Sequence, residues 1–137
     1  MLDFVIPSDF AQSRVVQDRI IAAVEALQYS DNDLFAIKLA LEEAMINAIK
    51  HGNRLDPTKT VTVHARVNPE QVEIIIEDQG AGFDRADVPD PTDPANLEKS
   101  SGRGILLIEA YMTKVEWSNQ GRRLRMCKTR EAQLAAG

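Results

Sequence analysis

The segment between residues 43 and 51 has residue types and spacings that could support catalysis with a metal ion. Glu43 and Asn47 are four residues apart, and Lys50 or His51 follows at three or four, so these side chains share one face of a helix. The carboxamide oxygen of Asn47 is a hard ligand suited to Mg²⁺. The carboxylate of Glu43, one turn away, could polarise an attacking hydroxyl or water. A solvated helix face gives the same pattern, so the cluster alone leaves both interpretations open.

A second cluster, DQGAG at residues 78–82, follows a segment in which apolar and other residues alternate. Glycines let a backbone approach a ligand closely. An aspartate at the end of a strand can accept a hydrogen bond from an exocyclic amine, such as that of adenine. An ordinary glycine-rich turn has the same composition, so this cluster is also ambiguous by itself.

The third cluster, SSGRG at residues 100–104, precedes an apolar segment with the pattern of a helix. Free backbone N–H groups and the positive end of a helix attract phosphate, although an N-cap followed by two turn glycines would look alike. No Gly-Lys-Ser/Thr follows, which excludes a Walker A motif. The strand–glycine–helix pattern of a Rossmann fingerprint is missing too.

Composition and charge narrow the classes of protein to which the chain could belong. The 137 residues include 16 Lys and Arg against 21 Asp and Glu, a net charge of −5, which argues against broad attraction to nucleic acid or anionic membrane. A single cysteine, Cys127, excludes an internal disulfide and fits a reducing compartment. No apolar run approaches the ~20 residues of a membrane span, and the start lacks a signal-peptide pattern. We therefore expect a cytoplasmic protein with one domain over residues 1–137, of which 131–137 would be a frayed tail.

The secondary structure around the three clusters is predicted from the spacing of apolar residues. Leu2 to Ile6 predicts an edge strand ended by Pro7, and Ser8 would then cap a first helix that runs to about Gln28. The apolar stripe predicts a second helix from about Asp33 to His51, ended by Gly52 in the left-handed position. The remaining predicted elements are a hairpin of strands 61–67 and 72–77, a long connection over 83–101, a helix over 105–112 and a final hairpin of strands 114–118 and 122–129. This order of strands and helices indicates an α+β two-layer sandwich.

The three clusters in this order resemble the GHKL nucleotide-binding superfamily, which includes gyrase and histidine-kinase ATPase domains. Within it, the chain is most similar to the bacterial anti-sigma-factor serine/threonine kinases of the sporulation and stress-response type. The matching segments are EEAMINAIKHGN, EDQGAGFD and SGRGILLIEAYMTKVEW, and the resemblance extends over almost the whole chain. It implies a Bergerat ATP-binding fold, in which helices cover one face of a mixed, mostly antiparallel sheet.

The resemblance also implies roles for single residues in a site for ATP and Mg²⁺ between the helices and the sheet. Glu43 would be the general base and Asn47 the Mg²⁺ ligand. Asp78 would read the adenine, while Gly80 and Gly82 would lie beneath the base and ribose.

Further nucleotide contacts are expected from the segments on either side of the site. Residues 83–101 would form a flexible lid, and the turn that meets the phosphates would follow it. The expected contacts in these segments are Lys50, Lys99, Ser101, Gly102, Arg103 and Gly104.

The last strand departs from the family pattern, which commonly places a threonine near the adenine aspartate. This strand reads GRRLRMCKT, with Arg122 or Arg125 at the candidate positions. Adenine reading would then differ from that of the family, or rely more on Asp78 and water.

Two functions of different classes are compatible with the resemblance. One is a protein kinase that transfers the γ-phosphate of ATP to a Ser or Thr of an anti-anti-sigma (STAS-type) antagonist and also sequesters a sigma factor, with transcription as the output. The other is a catalytically weak switch that uses ATP to set partner affinity. Glu43 favours the kinase, because a pure binding module needs no base there. We expect partners supplied in trans, no direct contact with nucleic acid or membrane, and a homodimer as the common family arrangement.

Overall fold

The computed structural model describes residues 1–82 and 100–131, and for residues 100–103 the backbone alone. Its elements are β1 (Leu2–Pro7), α1 (Phe10–Ala26), α2 (Asp31–Ile46), a π-helical segment (Asn47–Gly52), β2 (Thr60–Val67), β3 (Gln71–Glu77), α3 (Ser100–Tyr111), β4 (Lys114–Ser118) and β5 (Arg123–Thr129). The expected lid over residues 83–99 and the expected tail from residue 132 onward lie outside the described residues.

The strands form one sheet in the order β1-β2-β3-β5-β4, and every neighbouring pair is antiparallel. β1 lies at one edge, as predicted, and β4 lies at the other. Residues directly opposite each other across a strand pair share a face of the sheet. The cross-strand neighbours Val63, Ile76 and Leu124 therefore mark the buried face.

The core lies between that face and the helices. In α1 and α2, apolar residues three or four positions apart are fully buried, which is the pattern of helices packed on one side. The main contributors are Val16, Ile20, Val24, Ile37, Leu41 and Met45 from the helices and Val61, Val63, Ile74 and Met126 from the sheet. The opposite face of the sheet carries polar residues such as Thr62 and His64. The predicted α+β two-layer sandwich is confirmed. The expectation of a mixed sheet was wrong, because all four strand pairs in the described residues are antiparallel.

The first helix begins one residue later than predicted. Asp9, rather than Ser8, is the N-cap, and its Oδ1 accepts a hydrogen bond from the Ala11 N–H at 2.8 Å. The Ser8 hydroxyl instead donates to the Lys59 carbonyl at 3.0 Å, which ties the end of β1 to the start of β2. This long-range bond could not be inferred from the local sequence.

The second helix departs from regular α geometry near its end. It is α-helical to Ile46 and continues as a π-helical segment, closed by a hydrogen bond from the Asn53 N–H to the Ala48 carbonyl at 2.8 Å. The prediction of a left-handed Gly52 was wrong, since the positive φ angles there belong to Arg54 and Leu55. Gly52 meets a steric requirement instead, because another part of the chain packs against its Cα, as described below.

The third helix begins earlier than predicted. It starts at Ser100 rather than Ile105, so the SSGRG cluster forms its first turn instead of a preceding loop. Among the helices in residues 1–82 and 100–131, none combines the length and apolar composition that crossing a membrane requires.

Asn53 connects the end of the π-helical segment to three strands. Its amide nitrogen donates to the Ser8 hydroxyl at 3.0 Å and to the Thr60 carbonyl at 2.9 Å. Its Oδ1 accepts the Gln79 N–H at 2.7 Å. The side chain is 1% exposed, so β1, β2 and the segment after β3 all depend on one buried amide.

Replacing Asn53 with alanine should lower the free energy of unfolding by about 2–4 kcal/mol, because the Thr60 carbonyl and the Gln79 N–H would lose their partner away from water. Urea denaturation of the natural chain and the variant measures this loss. Asn32→Ala, at an exposed position of α2, is the control and should change stability by no more than about 0.5 kcal/mol. Similar losses in the two variants would contradict the role of Asn53.

Candidate functional site

The carboxylate of Asp78 lies at the end of β3 among backbone atoms that leave little room. It is 6% exposed, and its Oδ1 accepts a hydrogen bond from the Gly80 N–H at 2.8 Å. A Cβ atom at Gly52 would lie 2.5 Å from the Asp78 carboxylate carbon, and one at Gly80 would lie 1.9 Å from the Gly52 carbonyl oxygen. Both positions therefore require glycine, and the second sequence cluster packs against Gly52, the residue that directly follows the first cluster.

Burial shifts the acid–base equilibrium of Asp78. Removal from water raises the pKa of the Asp78 carboxyl, while the Gly80 N–H and the positive charge of Arg122 act in the opposite direction. Within the described part of the chain, Oδ2 of Asp78 accepts no hydrogen bond. A buried carboxylate is stabilised by donors, so this oxygen suits a ligand that presents an N–H group.

Arg122 joins the segment after β3 to the start of β5. Its carbonyl accepts the Asp78 N–H at 3.0 Å. Its guanidinium donates from Nε to the Gly80 carbonyl at 2.6 Å and from Nη2 to the Ala81 carbonyl at 3.1 Å. Arg125 instead pairs with Glu73 and with Glu116. Of the two arginines considered from the sequence, Arg122 is the one beside Asp78.

The glycine that ends this segment is held by the turn between β4 and β5. Gly82 has a φ of 83°, and a Cβ atom there would lie 2.3 Å from the Gln120 carbonyl oxygen. Glycine adopts this left-handed conformation without steric cost. The glycine segment is therefore closely packed on the β4–β5 turn at Gly82.

Glu43 and Asn47 remain one α-helical turn apart. The Asn47 N–H donates to the carbonyl of Glu43, so the turn that separates them is regular although π geometry begins at Asn47. Both side chains are half-buried. A Cβ atom at Gly104 would lie 2.8 Å from Oε2 of Glu43, which shows that α3 packs closely against this carboxylate. The first and third sequence clusters therefore also meet.

The residues present fit a magnesium ion held largely by phosphate. The described residues contain no group of three or more His, Cys, Asp or Glu side chains arranged to hold a metal. Mg²⁺ keeps several waters and takes one or two protein ligands beside substrate phosphates. The Asn47 carboxamide has no hydrogen bond to any described residue, so its oxygen is available for such a role.

The remaining residues that were predicted to contact the nucleotide do not all lie beside Glu43 and Asn47. Lys50 is exposed and lines a groove beside α1 with Glu42, Ile46 and Leu55, because the α-helical spacing used to place it beside Glu43 does not continue through the π-helical segment. Ser101, Gly102 and Arg103 belong to the first turn of α3, where backbone N–H groups have no partner within the helix. Lys99 lies outside the described residues.

Two residues that shape the site were missed by the sequence reasoning. Asn53 gave one usable signal, since it is an amide directly after the glycine that ends a helix. Gln79 gave none, although its Oε1 accepts the Thr60 N–H at 2.8 Å and fixes the start of the segment after β3.

Comparison with known proteins agrees with the resemblance that the sequence motifs indicate. The family model of the histidine kinase-like ATPase domain matches residues 6–128. The anti-sigma F factor of Clostridium perfringens is 34% identical over 98 residues, which are 69% of this chain and 69% of that protein. The serine-protein kinase RsbW of Bacillus licheniformis is 34% identical over 93 residues, which are 64% of this chain and 58% of that protein.

A solved structure agrees in fold. The RsbU and RsbW domains of Rv1364c from Mycobacterium tuberculosis superimpose with a TM-score of 0.57 and 14% identity. The match covers 94% of this chain and 32% of that one.

The stability of the nucleotide-free Asp78→Asn variant relative to the natural chain should rise with pH. Because burial raises the pKa of Asp78 above 3.8, the folded state binds more protons than the unfolded state just above pH 3.8, and stability falls as the pH rises through that window. The amide of the variant does not ionise. Urea denaturation at a series of pH values from about 3.5 to about 7 measures this difference. The variant should gain stability relative to the natural chain as the pH rises.

The control for this prediction is Asp18→Asn, at an exposed position of α1. A stability difference between the natural chain and Asp78→Asn that does not change with pH would contradict the assignment of a raised pKa to Asp78.

Proposed function

We propose that this chain, which belongs to the family of histidine kinase-like ATPase domains, is an ATP-dependent serine/threonine kinase of the anti-sigma type. It would phosphorylate a Ser or Thr of an anti-anti-sigma antagonist and bind a sigma factor. The observation that carries the proposal is that the second and third sequence clusters both pack against the helical segment that carries the first, at Gly52 and at Glu43. The similar proteins named anti-sigma F factor and serine-protein kinase RsbW support the same function.

Asp78 is proposed to recognise the adenine base. Its Oδ2 would accept a hydrogen bond from the exocyclic amine, in a position where no described residue supplies a donor. Gly52 and Gly80 support this role because side chains there would overlap the carboxylate or the neighbouring backbone. Gly80 and Gly82 would leave the adjacent backbone accessible to the base and ribose.

The triphosphate is proposed to lie between α2 and α3. The Asn47 carboxamide oxygen would hold Mg²⁺, which neutralises phosphate charge when bound. The N–H groups in the first turn of α3, at Ser101, Gly102 and Arg103, would face the phosphates, since a helix N-terminus attracts anions. Lys99 and Gly104 complete the proposed set of nucleotide contacts, whereas Lys50 is left out of it because it lines the groove beside α1.

Glu43 is proposed to act as the general base. Its carboxylate lies one turn before Asn47, so a hydroxyl next to the metal-bound phosphate would also be near the carboxylate. Glu43 would accept the proton of the attacking Ser or Thr of the antagonist, and phosphoryl transfer otherwise depends on positioning and charge neutralisation. Gly104 supports this arrangement, because its missing side chain leaves space for the Glu43 carboxylate.

The partners and setting are part of the same proposal. The antagonist would be a STAS-type protein, and the module would act in the cytoplasm as a single domain over residues 1–137. A homodimer is the proposed assembly. Exchange of the chain between the sigma factor and the antagonist would make transcription the output.

Asp78→Asn should weaken ATP binding by at least about tenfold, since the amide can turn an N–H₂ group toward the adenine amine and the buried hydrogen bond is lost. Isothermal titration calorimetry with ATP and Mg²⁺ measures the affinity. Asp18→Asn, exposed on α1, should bind as the natural chain does. Unchanged affinity in Asp78→Asn would count against this base site.

Glu43→Gln should retain ATP binding while transferring phosphate to the antagonist at least ~100-fold more slowly, because a general base contributes ~10²–10⁴-fold. The matched control is Glu42→Gln, the adjacent and exposed carboxylate on α2, which should transfer at the natural rate. Incubation with labelled ATP and candidate antagonists from the same genome measures the rate. Asn47→Ala should instead lose Mg²⁺-dependent binding and transfer together.

Two outcomes would change the proposal. Transfer at the natural rate by Glu43→Gln would remove Glu43 from the chemistry and leave it as part of a helix face. If the natural chain transferred no phosphate, yet ATP altered its affinity for a partner, the protein would be a binding switch rather than a kinase.

A further inference from the structure

The segment that would contact the nucleotide base is held by a single guanidinium from another part of the fold. Arg122 donates to the consecutive carbonyls of Gly80 and Ala81, at 2.6 Å and 3.1 Å. A guanidinium presents its donors in a rigid planar fork, so these two bonds together restrict the orientation of two consecutive peptide groups, Gly80–Ala81 and Ala81–Gly82. The same residue accepts the Asp78 N–H through its carbonyl.

The guanidinium is itself held in place by the β4–β5 turn. Its Nη1 donates to the Gln120 side-chain oxygen at 2.9 Å. A Cβ atom at Gly82 would lie 2.3 Å from the Gln120 carbonyl oxygen, so the turn packs directly against the Gly82 end of the segment and reaches the Gly80 end through Arg122. Arg122 therefore connects the backbone of the Gly80–Gly82 segment to the β4–β5 turn, and the close packing at Gly82 sets the distance between the two.

Neighbouring arginines lack these contacts. Arg123 is exposed and forms no side-chain hydrogen bond within the described residues. Arg125 is engaged by Glu73 and Glu116 through the ion pairs described above. The contact with the glycine segment thus depends on the position of Arg122 and is not a general property of the basic last strand.

We propose that Arg122 is a positioning residue that determines the preference of the site for adenine over other purines. The inference rests on the proposed function of Asp78 as the acceptor for the adenine amine. Arg122 holds the two peptide groups that follow the Gly80 Cα. Gly80 is thereby restricted in position, and its own N–H, which lies in the preceding peptide group, binds Asp78 Oδ1. The Asp78 carboxylate is thereby held in one orientation, with Oδ2 left for the exocyclic amine of the base. The positive charge of Arg122 also favours the ionised carboxylate, which accepts hydrogen bonds but donates none.

The experiment compares the affinities for ATP and for inosine triphosphate, which carries an oxygen where adenine carries the amine. The natural chain should prefer ATP. Arg122→Gln should reduce the ratio of the two affinities by at least about tenfold, mainly through weaker ATP binding, because the charge-assisted fork is lost. Arg122→Lys should retain part of the ratio, since it restores the charge without the bidentate geometry. The control Arg123→Gln should keep the natural ratio.

The outcomes separate this inference from the proposed function. If the natural chain discriminates between the nucleotides and Asp78→Asn removes the discrimination, but both Arg122 variants keep the natural ratio, the role of Arg122 is overturned while that of Asp78 stands. A purely structural role is also recognisable, because both affinities would then fall together while the ratio stayed constant. If the natural chain binds both nucleotides equally or neither, base recognition by Asp78 fails, and this inference fails with it.

Discussion

The arrangement of the site depends on one constraint, which is the burial of the Asp78 carboxylate against two glycine backbones. A charge removed from water needs donors or opposite charge nearby, and here the Gly80 N–H and Arg122 supply them. The glycines at positions 52 and 80 allow this approach, since a Cβ atom at either would overlap neighbouring atoms. The π-helical segment, the end of β3 and the β4–β5 turn must therefore converge at one place.

The π-helical segment separates two groups of site residues, one at its start and one at its end. Before it, the regular turn between Glu43 and Asn47 keeps a carboxylate and a carboxamide together beside α3. At its end, Gly52 packs against Asp78, and the next residue, Asn53, connects to the strands through its buried amide. Such segments occur frequently at functional sites, and here the change of helical geometry lies between the proposed metal ligand and the proposed base pocket.

The residues of the proposed site come from both layers of the fold, the sheet and the helices. The sheet contributes Asp78 and the neighbouring glycine segment, whose backbone is held by Arg122. The helices contribute Glu43, Asn47 and the first turn of α3. Membership of the histidine kinase-like ATPase family is consistent with this division, and the names of the similar proteins connect it to anti-sigma regulation. Recognition of the base and transfer of phosphate should accordingly respond to different substitutions.

The sequence alone determined the order of elements, the edge strand and the apolar face of each helix, because these follow from local periodicity. It also singled out Glu43, Asn47 and Asp78, whose types and spacing are local properties too. It failed at Gly52, whose place is decided by the side chain of Asp78, and it left Arg122 and Arg125 undistinguished. Strand register and close packing across the fold decided those two questions. Contacts between residues far apart in the chain leave no periodic pattern, so only the tertiary structure could show which arginine reaches the glycine segment.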